Sequence, residues 1–577
     1  MKVKLAKSAG FCMGVRRAME IVLAEVNKNN TSSIYTFGPL IHNSQVLELL
    51  ESKGVKVLED MGQARGGKVI IRAHGIPPQT RGMLRESGAE IIDATCPKVA
   101  RVQAIIRYYT NKGYQGIIVG DADHPEVIGL KGYGGDRAHV VSGESDLSHL
   151  PRDKRLFVVA QTTQNARRYE AIVRKIKESR PDAIIFDTIC DATHQRQEEV
   201  KTLAQQVDAI VVVGGFHSGN TQRLTEIARS TGKPAFHVET PKDLKPHQLQ
   251  KMDTVGVTAG ASTPNWLIKE VVREIERIKG KRDTLLTRFL NRAVKSVVLS
   301  NLAAAAGACS LSYAANRLLD IPSSIFYPAI TFLYIYAMHV LNRFLDRTAS
   351  AYNEPERAAF LRSHGKALAV VGGLSTLCAM VLSLKIGVKT FLALLLISVL
   401  GILYSMPIVP KGLLPWGRYT KIKDIPGSKT LSEALAWAAV IVFIPLLNGY
   451  GSPAEAVIPV GLAVFLLAYI RAALFDIFQI QGDLIAGSET LPIVLGEKRT
   501  LSLLKALVIM TAMLFVLGGI LHILGPLSYL MLIPVVTLAL CLLAYARGWL
   551  LPGIAFEALV EANFLLFGLL AAAWVNL

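Results

Sequence analysis

Cysteine is scarce in this sequence, which has six among 577 residues. So few cysteines in so long a chain exclude a small secreted scaffold built on disulfides. Charged residues make up only 19% of the chain against 51% hydrophobic residues, which excludes intrinsic disorder. The first residues, MKVKLAKSAGFCMGV, lack the continuous apolar stretch of a secretory signal peptide. We therefore expect the N-terminal half to remain in the cytoplasm.

Positive charge is in excess, since 63 Lys and Arg against 45 Asp and Glu give a formal net charge of +18. A basic chain can bind nucleic acid, but a mean hydropathy of +0.36 is too apolar for an ordinary soluble basic protein. Long hydrophobic runs are absent before about residue 296 and frequent after it. We predict an α/β domain at 1–280, a basic juxtamembrane linker at 281–295 and an all-α transmembrane domain at 296–577.

The first 280 residues alternate short apolar runs with amphipathic segments. Runs such as VIIRAHG at 69–75 and AIVVVGGFHSGN at 209–220 end in glycine and polar residues. Strand, polar loop and helix, repeated, are typical of parallel sheets with both faces covered. Ligands bind such sheets at the carboxyl ends of the strands, where these polar residues lie.

Apolar runs in the second half are long enough, or nearly so, to cross ~30 Å of hydrocarbon. The loops after the even-numbered runs hold thirteen Lys and Arg, and those after the odd-numbered runs hold three. Because positive charge marks cytoplasmic loops, we predict a nine-helix domain in the cytoplasmic membrane, with the N-terminal half in the cytoplasm. The basic charge then reflects membrane topology, and no nucleic-acid partner is predicted. The runs are 296–315, 323–341, 367–384, 390–408, 431–448, 454–475, 501–524, 527–546 and 557–576.

Three cysteines precede the membrane region: Cys12, Cys96 and Cys190. Their near-equal spacing suggests three similar α/β units, each offering one thiolate to a common centre. Zinc sites normally include closer ligand pairs, and no CxxC occurs here. Three thiolates without a fourth suit an iron–sulfur cluster with one open iron. The alternative is three unrelated cysteines that pack as small hydrophobic residues.

Polar residues that could bind a polyanion follow several of the predicted strands. Imidazole, hydroxyl and amide groups, with glycine-exposed N–H groups, suit a diphosphate. Each histidine taken singly is more often structural. Glu126 lies nearby and either belongs to an ordinary helix start or delivers protons to the pocket. The polar residues are His42, His74, His124, Ser218, Asn220 and Ser262.

Nine segments in this half resemble the LytB/IspH family of 4-hydroxy-3-methylbut-2-enyl diphosphate reductases. The resemblance covers about residues 1–280. It implies a three-lobed α/β fold around a [4Fe–4S] cluster. It also implies reductive removal of the substrate hydroxyl, giving isopentenyl and dimethylallyl diphosphates in the last step of the non-mevalonate isoprenoid pathway. The segments are GFCMGVRRA, IHN, RAHG, DATCP, DHPE, QTTQ, TICDATHQRQ, SGNTQRL and TAGAS.

The same resemblance implies roles for particular residues. Cys12, Cys96 and Cys190 would ligate the cluster, and Glu126 with Thr162 would supply protons. No nicotinamide fingerprint is present, so electrons are expected from a partner such as ferredoxin or flavodoxin. The rival interpretation is a non-catalytic iron–sulfur sensor. The diphosphate would be bound by His42, His74, His124, Ser218, Gly219, Asn220 and Ser262, with Gly219 standing where some members have serine.

Two polar clusters lie at predicted ends of membrane spans, where ionisable residues are costly and mark function. Asn342 and Asp346 follow the second run, and Asp476 and Asp483 follow the sixth. Seven residues make about two helical turns, so Asp476 and Asp483 share a helix face. Carboxylates on facing helix ends could hold Mg²⁺ against a prenyl diphosphate. The alternative is solvated interfacial charge.

The second half resembles the UbiA family of intramembrane prenyltransferases through LYSMP at 403–407, KIKDIPGSK at 421–429 and GDLIAGSETLPIVLG at 482–496. The resemblance implies Mg²⁺-dependent transfer of a polyprenyl chain to an acceptor. Ser350 and Gln479 stand where the family's two motifs have acids, which reduces the charge available to Mg²⁺. Two hypotheses therefore stay open: an active prenyltransferase, and an inactive relative that serves the reductase as a membrane anchor or prenyl-lipid binder.

Overall fold

The computed structural model describes residues 1–28, 33–143, 146–147, 154–280, 284–322, 324–345, 347–406, 421–448 and 454–575. The chain divides into two compact units, Met1–Asp283 and Thr284–Leu577. This division falls within the segment for which a linker was predicted, and a helix, Leu285–Leu299, covers most of that segment.

Three four-stranded sheets form the described part of the first unit. The strands are β1 (Lys2–Leu5), β2 (Ile34–Phe37), β3 (Val55–Val57), β4 (Lys68–Ile71), β5 (Glu90–Asp93), β6 (Gln115–Val119), β7 (Ala138–Val141), β8 (Leu156–Ala160), β9 (Ile184–Ile185), β10 (Ala209–Val213), β11 (Ala235–Val238) and β12 (Thr254–Ala259). Their orders are β1-β12-β10-β11, β3-β2-β4-β5 and β7-β6-β8-β9, and neighbouring strands are parallel. The predicted α/β class with three lobes is confirmed.

Helices cover these sheets and follow the strands. The central strands β8 (LFVVA) and β10 (AIVVV) are buried at every position, as expected where helices cover both faces of a sheet. The helices of the first unit are α1 (Met13–Asn27), α2 (Ser44–Ser52), α3 (Pro78–Glu86), α4 (Pro97–Asn111), α5 (Pro125–Gly134), α6 (Ala166–Ser179), α7 (Asp191–Ala204), α8 (Gly219–Ser230), α9 (Pro246–Leu249) and α10 (Asn265–Arg277).

The second unit is helical throughout its described residues. Its helices are α11 (Leu285–Leu299), α12 (Leu302–Leu318), α13 (Phe326–Leu345), α14 (Arg347–Asn353), α15 (Pro355–Ile386), α16 (Val388–Ser405), α17 (Ser428–Ala438), α18 (Ile444–Leu446), α19 (Ala454–Ala486), α20 (Leu491–Leu495), α21 (Glu497–Ile520), α22 (Leu527–Leu530), α23 (Leu532–Ala546) and α24 (Ile554–Val575). A short π-helical segment, Ala439–Phe443, joins α17 to α18.

Nine membrane crossings are not confirmed. Among the described residues, six helices are long and apolar enough to cross a membrane, or seven if the bent pair Phe289–Leu299 and Leu302–Leu318 is one span. The bend of 70° breaks the first predicted run at Asn301, whose φ is 65°, a left-handed conformation that asparagine tolerates. The fourth run yields only a shorter apolar helix, Val388–Tyr404. Six or seven apolar helices still make this unit a multi-pass membrane domain.

Candidate active site and the polar centre of the membrane unit

Each of the three N-terminal cysteines is the N-cap residue of a helix. Cys12 precedes α1, Cys96 precedes α4 and Cys190 precedes α7. A helix N-terminus presents unpaired N–H groups and partial positive charge, which stabilise thiolates and other anions. Cys12 Sγ, for example, accepts a hydrogen bond from Val15 N at 3.5 Å. The local chain therefore places three anion-favouring helix starts at the three thiols.

The three thiols lie around one centre. Burial raises the pKa of Cys96, and the neighbouring Cys12 and Cys190 add to that rise. A Cβ at Gly14 would lie 2.5 Å from Cys96 Sγ and 3.9 Å from Cys12 Sγ. Among the described residues, the thiols do not form a group close enough to share a single metal ion. Their arrangement fits a multi-iron cluster better than a mononuclear zinc site.

The three predicted histidines face one another at the ends of the sheets. The ring centroids of His42, His74 and His124 are 5.0, 5.4 and 5.8 Å apart, and their nearest ring nitrogens lie within 4.8 Å of one another. Burial, followed by neighbouring positive groups, lowers the pKa of all three, that of His124 to about 4. At neutral pH the imidazoles are therefore uncharged.

The N-terminus of α8 joins this histidine group. Ser218 is the N-cap residue of α8, and Gly219 and Asn220 begin the helix. Ser218 Oγ lies 3.4 Å from Ser262 Oγ, which donates to the carbonyl oxygen of His42 at 3.3 Å. A Cβ at Gly219 would lie 3.9 Å from His124 Cδ2, an ordinary contact that leaves room for serine. The predicted diphosphate-binding residues are thus brought together around a helix start, a favourable place for an anion.

Glu126 is buried beside this pocket, with 1% of its surface exposed. Its carboxylate accepts hydrogen bonds from Thr162 N at 2.7 Å and from Thr162 Oγ1 at 2.8 Å. Burial raises the pKa of Glu126, although the bonds from Thr162 and the charge of Arg223 oppose that rise. The carbonyl oxygen of Thr162 in turn accepts from Cys190 N at 2.9 Å. The Glu126–Thr162 pair is therefore held next to the third cysteine.

Arg223 is a residue that the sequence interpretation missed. It lies one turn into α8 and is 8% exposed. Its Nη1 donates to the carbonyl oxygen of Thr163 at 3.0 Å and to Thr163 Oγ1 at 3.2 Å, and its Nη2 forms an ion pair with Asp121. The sequence feature that could have identified Arg223 is its position in the SGNTQRL segment, three residues after Asn220. It ties the helix of one lobe to the loops after β6 and β8 of another.

Those predicted residues of the membrane unit that the structure describes lie on two helices, α13 and α19. Asp346 lies outside the described residues, and Asn342 lies in α13. Asp476 accepts from Thr430 Oγ1 at 2.7 Å, with Lys429 Nζ at 3.4 Å. Two further bonds join Asn353 to α19: its Nδ2 donates to Asp483 Oδ1 at 2.7 Å, and its Oδ1 accepts from Gly482 N at 2.8 Å.

Glu354, another residue missed from the sequence, is the acid that the membrane unit places among several donors. It accepts from Arg343 Nη1 at 2.9 Å, from Arg357 Nη1 at 2.6 Å and from Gln479 Nε2 at 3.1 Å. Glu354 continues the four-residue spacing of positions 342, 346 and 350. This spacing is the sequence feature that could have identified it. Within the described part of this unit, no three acidic, histidine or cysteine side chains are close enough to share a metal ion.

Comparisons with known proteins divide at the same place as the structure. Residues 3–276 match the family model described as LytB protein, and residues 301–574 match the UbiA prenyltransferase family. The 4-hydroxy-3-methylbut-2-enyl diphosphate reductase of Alkaliphilus oremlandii is 42% identical over 280 residues, which are 48% of this chain and 100% of that protein. That of Geobacter sulfurreducens is 42% identical over 282 residues, 49% of this chain and 99% of that protein.

Solved structures are also similar to this chain, each over about half of its length. The diphosphate reductase from Plasmodium falciparum is 30% identical, covers 49% of this chain and 93% of its own, and has a TM-score of 0.46. The apo structure of a UbiA homologue from Aeropyrum pernix is 15% identical, covers 47% of this chain and 98% of its own, and has a TM-score of 0.38.

Proposed function

The chain belongs to the LytB family, and we propose on this premise that its first unit reduces 4-hydroxy-3-methylbut-2-enyl diphosphate to isopentenyl and dimethylallyl diphosphates. The observation that carries the proposal is the buried Glu126–Thr162 pair. It connects a three-thiol centre to a pocket of histidines, hydroxyls and a helix N-terminus. A site with these three parts has what the reaction needs: a place for a redox centre, a proton source and a diphosphate anchor.

A [4Fe–4S] cluster fits the three helix-capping thiols of Cys12, Cys96 and Cys190. When bound, it would supply single electrons and an open iron that acts as a Lewis acid toward the substrate hydroxyl. The chain's own contribution there is electrostatic, because three helix N-termini favour the negative charge of a thiolate-ligated cluster. One-electron partners such as ferredoxin or flavodoxin would reduce it.

The pocket anchors the other end of the substrate. Asn220, Ser218 and Ser262 offer an amide and hydroxyls, and the first N–H groups of α8, including that of Gly219, point toward the same place. His42, His74 and His124 are neutral before binding, so each ring can donate one N–H to a phosphate oxygen. A diphosphate also favours their protonated forms, and proton uptake then strengthens these bonds.

Glu126 supplies the proton that lets the hydroxyl leave as water. Its raised pKa keeps a proton on the carboxyl group closer to neutral pH than an exposed glutamate would. A protonated Glu126 can donate to Thr162 Oγ1, which turns the threonine proton toward the pocket. Thr162 thus carries the proton between a buried acid and the substrate.

The membrane unit holds the reductase at the lipid surface. We place that surface at the cytoplasmic membrane, with the first unit in the cytoplasm, on the loop charges of the sequence. Between the two hypotheses for this unit, the pairing of Glu354 with two arginines favours the anchor or prenyl-lipid binder over a Mg²⁺-dependent transferase.

The test of the reductase uses the full chain, purified without oxygen and reconstituted with iron and sulfide. Supplied with substrate and a reduced one-electron dye, it should form both five-carbon diphosphates, measured by mass spectrometry. Protein that shows a reducible cluster by electron paramagnetic resonance, yet forms neither product, would instead be the iron–sulfur sensor.

A further inference from the structure

Buried and partly buried charges on five helices meet in the membrane unit, where unpaired charge is costly. Two groups of contacts hold them. The first centres on Glu354 and Arg357, and the second on Arg471. Their members are Arg343 on α13, Glu354 before α15, Arg357 on α15, Glu433 on α17, Arg471 and Gln479 on α19, and Glu557 and Glu561 on α24.

In the first group, the carboxylate of Glu354 is surrounded by donors. Arg343 and Arg357 each bring one N–H, at 2.9 and 2.6 Å, and Gln479 brings an amide N–H at 3.1 Å. The other side of the Arg357 guanidinium donates from Nη2 to Glu557 Oε2 at 2.6 Å. Arg357 therefore bridges two carboxylates, a position that a divalent cation could otherwise take.

The second group repeats this arrangement one turn along α24. Arg471 Nη1 donates to Glu433 Oε1 at 2.8 Å, and its Nε donates to Glu561 at 3.0 and 3.2 Å. The guanidinium also lies 5.2 Å from the Trp437 ring centre and 4.9 Å from that of Phe475, favourable cation–π distances. A second arginine thus bridges a second pair of carboxylates.

Gln479 adds a neutral hydrogen-bond donor to the first group. Its Nε2 lies 3.1 Å from Glu354 Oε1. A carboxylate at position 479 would place two negative groups within about 4 Å of each other, where one proton or a cation must come between them. The neutral amide replaces that repulsion with a hydrogen bond. Of the acids predicted to bind Mg²⁺, the two that the structure describes are Asp476 and Asp483, which accept hydrogen bonds from Thr430 and Asn353.

We propose that, among the described residues of the membrane unit, arginine salt bridges take the place of divalent cations around Glu354 and Glu561, so that these carboxylates bind no Mg²⁺ and take no part in a Mg²⁺-dependent prenyl transfer. Arg357 and Arg471 bridge the carboxylate pairs, and the Gln479 amide removes the need for an ion beside Glu354. This inference does not depend on the reductase activity of the first unit.

The test counts bound ions in the full chain reconstituted in lipid nanodiscs, with Mn²⁺ as the paramagnetic probe for Mg²⁺ and with geranylgeranyl diphosphate present or absent. The natural chain should show no saturable site that requires geranylgeranyl diphosphate and is lost in Glu354→Gln. Gln479→Glu should gain one Mn²⁺ site per chain, because it sets a second carboxylate against Glu354. Gln481→Glu, which adds the same charge two residues along α19, should gain none.

Two results would overturn the proposal. One is a Mn²⁺ site in the natural chain that requires geranylgeranyl diphosphate, releases pyrophosphate with a lipid extract and is lost in Glu354→Gln. The other is a folded Gln479→Glu chain without a new site. The first measurement needs only the natural chain and Glu354→Gln, so it decides the matter even if Gln479→Glu does not fold.

Discussion

The Glu126 carboxyl group owes its chemistry to burial, since 1% of the residue is exposed and the pKa is raised mainly by loss of water. We expect Glu126→Gln to lower kcat by about 10²–10⁴-fold, the usual value of a positioned proton donor, with a smaller change in KM. Product formation by mass spectrometry measures this. Glu170→Gln, an exposed site on α6, is the control, and equal activity in the two variants would exclude proton delivery by Glu126.

The histidine group predicts a pH dependence of diphosphate binding. Without ligand, the pKa values of His42 and His74 lie below 6.5 and that of His124 at about 4. A bound diphosphate favours imidazolium and raises these values, so binding takes up protons. Affinity for pyrophosphate should rise as the pH falls through the histidine pKa values of the bound state. It should level off near the pKa values of the free state, because there the histidines of the empty pocket are charged as well.

Calorimetry of pyrophosphate binding in buffers of different ionisation enthalpy measures this proton uptake. His124→Gln should take up fewer protons than the natural chain. Because pyrophosphate itself titrates in this range, only the difference between the two proteins is informative. Identical uptake would show that His124 does not change its charge on binding.

At the scale of secondary-structure elements, Arg223 connects α8 to the loops after β6 and β8. Its charge opposes the raised pKa of Glu126, and its two-sided hydrogen bonding fixes Thr163 next to Thr162. Arg223→Lys keeps the positive charge but loses the guanidinium group that contacts both Thr163 and Asp121. We therefore expect kcat to fall by up to ~10²-fold, because Thr162 is no longer held in position. The pH profile of kcat should stay unchanged. Arg223→Gln should in addition shift the proton-donor limb of the profile to higher pH.

Steady-state kinetics across pH separate these two variants. A positioning role predicts the same loss of kcat in both and a shifted profile only in Arg223→Gln. A purely structural role would lower the amount of folded enzyme in both and leave the profile of the remainder unchanged.

The start of α1 leaves no space for a side chain at position 14. A Cβ there would lie 2.5 Å from Cys96 Sγ, far closer than packed atoms allow. We expect Gly14→Ala to lower the iron and acid-labile sulfide bound per chain. Gly82→Ala in α3, where a Cβ meets nothing within 4 Å, should leave both values unchanged and slightly favour its helix. Full cluster content in Gly14→Ala would argue against a shared centre at these thiols.

At the scale of the whole molecule, the first unit is compact by itself, and a relative of this unit is matched over its full length by 280 residues of this chain. A chain ending at residue 283 should therefore fold and retain its kcat, because the three sheets supply every group of the proposed site. Its activity should appear in the soluble fraction after centrifugation, whereas the full chain should sediment with membranes. Activity of the shortened chain in the membrane pellet would show that the first unit binds lipid by itself.

Short segments of the chain were enough to predict the α/β class of the first half, the membrane character of the second and the residues gathered in the reductase pocket. These properties are local, because strand patterns, apolar runs and motifs such as RAHG and SGNTQRL are read over a few residues. The number of crossings could not be predicted in this way, since the left-handed residue Asn301 bends the first run and the fourth run forms only a shorter helix.

Which charged side chains contact one another depends on the folded chain. Arg223 reaches Asp121 across 102 positions and Gln479 reaches Glu354 across 125, and no periodicity in the sequence links such distant residues. From the sequence, Gln479 is interpreted as the replacement of an acidic magnesium ligand. In the folded chain it is a hydrogen-bond donor within a set of salt bridges, because a buried carboxylate needs a partner and the fold brings arginines and an amide to it.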